Sequence, residues 1–303
     1  MKMLEDNSVL RDDFSYSSYW SKWINSYDFK NSGENLEKIY GDYFTSVRWI
    51  PKNYLLRFFV GIEIFVTNFF SSPRFFLSSL FKSSYWRLRS ISQKQGRFMN
   101  HANIVALLAF NFVCSRLKPN DQTICVIGDG ATNFVSLCFS SKKSFKKIFS
   151  VNLPEVHLVE TEMLIRAGLG EDEIMVLAED KSLEDFFSAK QRIGILSAQK
   201  AKILKGLNID VFVNISSMQE MTTEAINSYF DVIKGTNSFF YCCNRKEKVL
   251  PDGSVSRFDQ YPWGTPKFLI YEKCPWMKKT VNLTRPIIRR QEPHLHVLAS
   301  YRE

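Results

Sequence analysis

The chain has 303 residues, of which 45% are hydrophobic and 23% charged, with 13 Gly and 10 Pro. This composition is typical of a globular protein and excludes disordered, collagen-like and low-complexity chains. There are 40 basic and 31 acidic residues, which leaves a formal charge of +9. The six cysteines form no Cys-x-x-Cys pair and lie mostly in apolar runs, so neither a zinc site nor a disulfide framework is indicated.

Residues 1–95 are predicted to form a helical region that is rich in aromatic and basic side chains. Residues 52–97 carry eight Lys and Arg residues against a single acid, Glu63. One interpretation is a helical cap whose aromatic rings pack inward while the cations stay in water. The other is a surface for an anionic partner, in particular a peripheral contact with the inner membrane through residues 52–97. We expect no nucleic-acid partner.

The most apolar part of this region covers residues 54–81. Arg57, Glu63 and Arg74 interrupt it, whereas a transmembrane helix needs about 20 residues that are almost free of charge. A buried helix, or one that lies on a membrane surface, therefore fits better than a membrane span. Since residues 1–13 also lack an apolar stretch suited to a signal peptide, we expect a cytoplasmic protein.

Short β-branched runs alternate with helical patterns through residues 96–303. The predicted strands cover residues 122–127, 147–151, 209–215, 237–243, 266–271 and 296–301. Strands that alternate with helices indicate βαβ units and a mostly parallel sheet. We therefore expect an α/β domain over residues 96–303, preceded by the helical region of residues 1–95.

The first candidate site follows the strand at residues 122–127. Gly128-Asp129-Gly130 stands at the turn into a helix, where glycines allow a sharp bend and a close approach to a ligand. A dinucleotide fingerprint needs a third glycine where Asn133 stands, which argues against NAD. A loop that binds S-adenosylmethionine commonly has its third glycine at the position of Thr132. A purely structural turn is the alternative interpretation.

Polar residues also follow two later strands. Asn152 ends the second strand, at the position where a side chain can reach the ribose hydroxyls of an adenosine. Asn214, Ser217 and Glu220 follow the strand at residues 209–215, where the ends of parallel strands line a ligand crevice. The structural alternative for this loop is a helix N-terminus in which Ser216 or Ser217 forms a capping box with Glu220.

Three of these stretches resemble the sugar O-methyltransferase family. They are Ile127-Gly128-Asp129-Gly130, then Val151-Asn152-Leu153-Pro154-Glu155, and then Val213-Asn214-Ile215-Ser216-Ser217-Met218-Gln219-Glu220-Met221. The likeness covers roughly residues 96–250, and the Gln-Glu-Met loop is its most specific element. Val126, Thr132, Asn152 and Met218 depart from the family pattern, which has an acid, a glycine, an aspartate and a phenylalanine there.

The resemblance implies a Rossmann-like methyltransferase fold, S-adenosylmethionine as the cofactor and a saccharide or a nucleotide-linked or lipid-linked glycan precursor as the substrate, as in polysaccharide biosynthesis. It implies no metal. The residues expected at the cofactor are Gly128, Asp129, Gly130, Asn133, Asn152, Leu153, Gln199, Asn214 and Ser217. The adenine position is either at residues 179–180 or at residues 197–199, and the spacing typical of the family favours the latter.

Methyl transfer from a sulfonium needs a group that accepts the proton of the hydroxyl. Glu220 is the first candidate base, since it follows the strand-end crevice. His101 is the second candidate, although a lone histidine is more often structural. Asp259 is the third; it lies beside aromatic residues that either stack on a sugar ring or form a plain turn.

Two further hypotheses remain beside the enzyme. Because Val126 and Asn152 replace acids of the family pattern, the chain could be a non-catalytic binding module that kept the fold without the affinity for the cofactor. The basic segment of residues 52–97 could instead mark a protein that acts at the membrane surface.

Overall fold

The fold is described by a computed structural model for residues 17–18, 20–21, 49–141, 144–177, 181–277, 279–282, 287–290 and 293–302. In this part of the chain, the α-helices are α1 (Tyr54–Ser71), α2 (Pro73–Leu80), α3 (Ser83–Lys94), α4 (His101–Leu117), α5 (Asn133–Ser140), α6 (Pro154–Ala167), α7 (Lys181–Ser188) and α8 (Thr223–Lys234). The strands are β1 (Gln122–Ile127), β2 (Phe145–Asn152), β3 (Ile174–Leu177), β4 (Ile193–Ser197), β5 (Val211–Ile215), β6 (Phe239–Arg245), β7 (Glu247–Val249), β8 (Val255–Arg257), β9 (Lys267–Lys273), β10 (Lys279–Asn282), β11 (Ile287–Arg290) and β12 (His294–Ser300).

Within the described residues, eight strands form the main sheet, in the order β3-β4-β2-β1-β5-β6-β12-β9. The strands from β3 to β6 pair in parallel, and β12 runs antiparallel to both of its neighbours. Strand β1 is central: β2 and β4 lie on one side of it, and β5 and β6 lie on the other. This reversal of strand order is the switch point of a doubly wound, Rossmann-like sheet.

Helices cover both faces of the sheet, because alternate residues of each buried strand point to opposite sides. Ile124 and Val126 of β1 pack into one hydrophobic cluster, with α4 and α5. Cys125 and Ile127 pack into the other cluster, with α8. The predicted α/β fold with a mostly parallel sheet and a helical N-terminal region is therefore confirmed.

The helical region packs on the same core as the sheet. Phe76, Tyr85, Leu88 and Ile91 from α2 and α3 are buried in the cluster that also contains Ile124. Burial of these side chains against α4 stabilises the attachment of α2 and α3. A domain boundary between residues 95 and 96 stays a prediction.

Helix α1 differs from both a helical cap and a buried helix. Its buried residues are the polar Asn68 and Ser71, whereas Leu55, Phe58 and Phe59 are more than half exposed. The interpretation as a buried helix was therefore wrong, and so was the expectation that its aromatic rings pack inward. Among the described residues, α1 is the one helix that is long and apolar enough to cross a membrane, judged by length and composition.

Candidate functional site

The carboxyl ends of β4, β2, β1 and β5 lie side by side at one edge of the sheet, which we call the rim. The predicted site residues follow these four strands. Because the strands are adjacent and parallel, the stretches after them converge on both sides of the switch point between β1 and β5. The structure thus brings the loops after β1, β2, β4 and β5, which are far apart in the chain, to one side of the sheet.

The loop after β1 touches the loop after β5 directly at Gly128. The backbone of Gly128 has φ +77°, and a Cβ added there would lie 2.5 Å from Cβ of Ser217 and closer still to its hydroxyl. Ser217 Oγ and Asn214 Nδ2 donate hydrogen bonds to the carbonyl oxygen of Ile127, at 3.2 and 2.9 Å. The missing side chain of Gly128 therefore makes room for Ser217, a contact within the chain.

The side chain of Asp129 caps helix α5. Its carboxylate accepts the backbone N–H groups of Asn133, Phe134 and Val135 at 3.1, 2.7 and 2.8 Å. Burial raises the pKa of Asp129, and these N–H groups together with Arg97 act in the opposite direction. Asp129 thus accepts hydrogen bonds from N–H groups of the first turn of α5 that have no partner within the helix, as an N-cap side chain does. A bond to the ammonium group of a cofactor stays a prediction.

Two rim residues that are not glycine adopt the left-handed backbone region. Thr132 has φ +54° and Ser216 has φ +60°. A β-branched residue such as Thr132 rarely adopts positive φ. Thr132 occupies the position where the third glycine of an S-adenosylmethionine loop was expected, and its backbone has the conformation that favours glycine. Strained residues of this kind often lie at functional sites.

Buried side chains from the preceding segment hold the loop after β1 from behind. Arg97 is 2% exposed and donates to the carbonyl of Ala131 at 2.9 Å and to the side chain of Gln95 at 2.8 Å. Asn103, in the first turn of α4, donates to Oδ1 of Asn133 at 2.6 Å. The sequence did not lead us to predict Gln95, Arg97 and Asn103 as supporting residues. The signal that could have found them is that polar side chains stand among apolar ones in this segment.

Asn152 faces a buried carboxyl group that sequence reasoning also missed. Its Nδ2 donates to Glu160 on α6 at 3.0 Å, and the hydroxyl of Ser150 donates to the other oxygen of Glu160. Glu160 is fully buried, and burial raises its pKa to about 7. Its spacing from Val156, Val159 and Met163 placed it on the buried face of a helix, which is the signal that could have found it. The role of Asn152 at a ribose stays a prediction.

The ends of β2 and β4 are tied together by His157. Its imidazole lies 3.2 Å from the carbonyl oxygen of Asn152 and also bonds the backbone of Leu196. Leu153 and Gln199 are half-buried, and the backbone N–H of Gln199 donates to Ser197 Oγ at 3.3 Å. Because β4 is the neighbour of β2, this end lies beside the Asn152 stretch. The adenine position at residues 197–199 stays a prediction. The alternative at residues 179–180 lies outside the described residues.

Glu220 lies in a short 3-10 turn, Met218–Glu220, after β5. Its carboxylate forms an ion pair with Lys248 of β7, and both side chains are mostly buried. Burial raises the pKa of Glu220, and the ammonium group of Lys248 acts against this. Ser217 is the N-cap of this turn, but its side chain makes no capping hydrogen bond, so the capping-box alternative was wrong. The next helix, α8, has Thr222 as its N-cap, which accepts the N–H of Ala225 at 3.2 Å.

The two other candidate bases lie in different surroundings. His101 begins α4, and within the described part of the chain both of its ring nitrogens are buried without a hydrogen-bond partner; burial lowers its pKa to about 4. Asp259 is exposed on a short turn after β8. Its neighbours Phe258, Tyr261 and Trp263 are at most 7% exposed and pack on one another, so they belong to the core. The plain turn is therefore the correct interpretation, and stacking of these rings on a sugar was wrong.

Comparison with known proteins gives distant likenesses. No family model matches this chain, and no curated protein sequence matches it. Among solved structures, it is similar to the Thermoplasma acidophilum protein 1320 (8% identity, 65% of this chain and 88% of that one, TM-score 0.42). It is also similar to S-adenosylmethionine-dependent methyltransferases from Aquifex aeolicus (11%, 63% and 88%, 0.35) and Clostridium acetobutylicum (12%, 64% and 90%, 0.37). At these TM-scores, what the chain does has to be argued from its own residues.

Proposed function

We propose that this chain binds S-adenosylmethionine at the rim and transfers the methyl group to a hydroxyl of a saccharide. The observation that carries the proposal is that the loops after β4, β2, β1 and β5 converge at the switch point, where open α/β sheets bind their ligands. The resemblance of the same stretches to the sugar O-methyltransferase family supports a saccharide as the acceptor.

The residues at the rim fit a nucleoside that carries an amino acid. The backbone at Leu153 and the side chain of Gln199 would hold the adenosine, and the loop with Gly130 and Asn133 would hold the methionine end. When bound, the cofactor supplies a methyl group on a sulfonium that leaves readily.

The protein must place the acceptor hydroxyl about 3 Å from that methyl group and receive its proton. Glu220 is the acceptor we propose, because burial raises its pKa towards the range of a general base while Lys248 keeps the carboxylate beside a positive charge. His101 is neutral at physiological pH, and its low pKa of about 4 makes it the weaker base.

A calorimetric titration with S-adenosylhomocysteine tests the cofactor site. Gln199→Ala, at the rim end of β4, should weaken binding about threefold to tenfold through the loss of a hydrogen bond. The matched control is Gln191→Ala, because Gln191 is also half-buried but precedes β4 at the opposite edge of the sheet. Equal effects of the two variants, or no binding at about 1 mM ligand, would refute the site.

The saccharide is tested separately, with labelled S-adenosylmethionine and a panel of nucleotide-linked sugars and lipid-linked glycans. The proposal predicts a product in which a sugar hydroxyl has become a methyl ether, identified by mass spectrometry. Binding of S-adenosylhomocysteine without transfer to any saccharide, but with transfer to another class of acceptor, would refute the saccharide and keep the cofactor.

A non-catalytic binding module is the second candidate, and two observations favour it. The carboxylate of Asp129 is occupied by three N–H groups of α5, and the amide of Asn152 is occupied by Glu160. Both side chains, which the sequence predicts at the cofactor, thus have partners within the chain. Saccharide binding without any affinity for S-adenosylhomocysteine would establish this candidate over the enzyme.

A further inference from the structure

The outer surface of the N-terminal helices is unusually apolar. Large hydrophobic side chains of α1, α2, the loop after α2, and α3 are between 43% and 90% exposed. We call this set the apolar surface, and it comprises Tyr54, Leu55, Leu56, Phe58, Phe59, Ile62, Phe65, Phe70, Leu77, Phe81 and Trp86. Soluble proteins rarely expose apolar patches of this extent, and those that do use them as interaction sites. The methyltransferase proposal does not involve this surface.

Helix α1 is exposed on all sides over its first six residues, 54–59. Further along, Ile62, Phe65 and Phe70 stay exposed, whereas Asn68 is buried. Asn68 Nδ2 donates to the carbonyl oxygen of Met99 at 3.3 Å, which holds this part of the helix against the domain. The helix therefore contacts the domain towards its C-terminal end, while the apolar side chains of its N-terminal part stay in solvent.

Exposed cations lie in the same segment as the apolar surface. They are Lys52, Arg57, Arg74, Lys82, Arg87, Arg89 and Lys94, and the acid within residues 52–97, Glu63, is half-buried. A second copy of this surface would bring like charges together, which costs free energy in a dimer. An anionic lipid surface complements both features, since headgroups attract the cations and acyl chains accept the apolar side chains.

We infer that the apolar surface docks on a bilayer that contains anionic lipids, with α1 lying in the plane of the membrane interface. A helix of 18 residues is about 27 Å long. Its C-terminal end is attached to the domain, because the hydroxyl of Ser72 donates to the carbonyl oxygen of Trp276 at 2.7 Å and the rings of Phe65 and Phe76 pack edge to face. The attachment leaves the exposed side chains of the N-terminal part of α1 available for the lipid.

Sedimentation of the full chain with lipid vesicles tests this docking. Binding is expected to vesicles of phosphatidylcholine with phosphatidylglycerol, to be much weaker to phosphatidylcholine alone, and to fall as salt rises from about 0.1 to 0.5 M. Ile62→Glu should lower the partition coefficient at least about tenfold, since an apolar group is replaced by a charge at the acyl boundary. Leu158→Glu on α6 is the matched control, because Leu158 and Ile62 are both 45% exposed.

Circular dichroism and thermal melting establish that both variants keep the fold of the natural chain. The docking is overturned if the natural chain does not sediment with anionic vesicles, or if Ile62→Glu and Leu158→Glu reduce sedimentation equally. It is also overturned if light scattering without lipid shows a dimer that Ile62→Glu dissociates, because a second copy would then cover the surface.

Discussion

Replacing Gly128 by alanine is expected to destabilise the protein by about 2–5 kcal/mol. About 1–2 kcal/mol arises because an L-residue at φ +77° adopts the left-handed region. A further contribution of about 1–3 kcal/mol arises because the new Cβ would lie 2.5 Å from Cβ of Ser217, so that one of the two rim loops must move. The free energy of unfolding in urea, followed by circular dichroism, measures the sum.

Ser217→Gly in the same background separates the two contributions. Removal of the Ser217 side chain relieves the contact but not the backbone strain, so the double-mutant cycle should give a coupling of about 1–3 kcal/mol. Gly253→Ala is the matched control, because Gly253 has φ +85° and nothing within 4 Å of an added Cβ. If Gly128→Ala costs no more than Gly253→Ala, or if its effect is additive with that of Ser217→Gly, the two loops do not meet as described.

Three further predictions concern buried carboxyl groups. The native state holds a proton on Glu160 up to about pH 7, whereas the unfolded chain releases it near its ordinary pKa of 4.5. The free energy of unfolding should therefore fall by about 3 kcal/mol as the pH rises between these values. Glu160→Gln should abolish that fall, which urea titrations at pH 5 and 8 measure. Asn152→Asp places a second carboxyl group against Glu160 and should destabilise the fold by about 1–3 kcal/mol at pH 8 and less at pH 5. If the same loss of stability persists in the Glu160→Gln background, Asn152 and Glu160 are not in contact. Glu220→Gln should lower the rate of methyl transfer at least about a hundredfold, whereas Glu247→Gln, which removes a carboxylate from an exposed ion pair with Arg257, should leave it unchanged; similar rates for both variants would exclude Glu220 as the base.

The sheet could be predicted from the sequence because its strands are apolar, β-branched and separated by turn residues. The strand predicted at residues 122–127 matches β1. Convergence of the loops at the rim also followed from sequence, since the carboxyl ends of adjacent parallel strands must lie at one edge. These properties depend on local pattern and on the connectivity of βαβ units.

Partners of individual side chains could not be predicted in the same way. The contact of Asn152 with Glu160 depends on how α6 packs on β2, and the contact of Gly128 with Ser217 joins positions far apart in the chain. The orientation of α1 was missed for a related reason. Helical spacing shows which residues share a face, but not whether that face meets protein or solvent.

Amide hydrogen exchange with and without S-adenosylhomocysteine tests the central claim, that the rim is the cofactor site. The account predicts slower exchange upon ligand addition at residues 128–133, 153–155, 198–200 and 216–219, the stretches that follow β1, β2, β4 and β5. Exchange at the opposite edge of the sheet, at residues 190–192 and 208–210, should not change. Protection at the opposite edge, or no protection at the rim with saturating ligand, would contradict it.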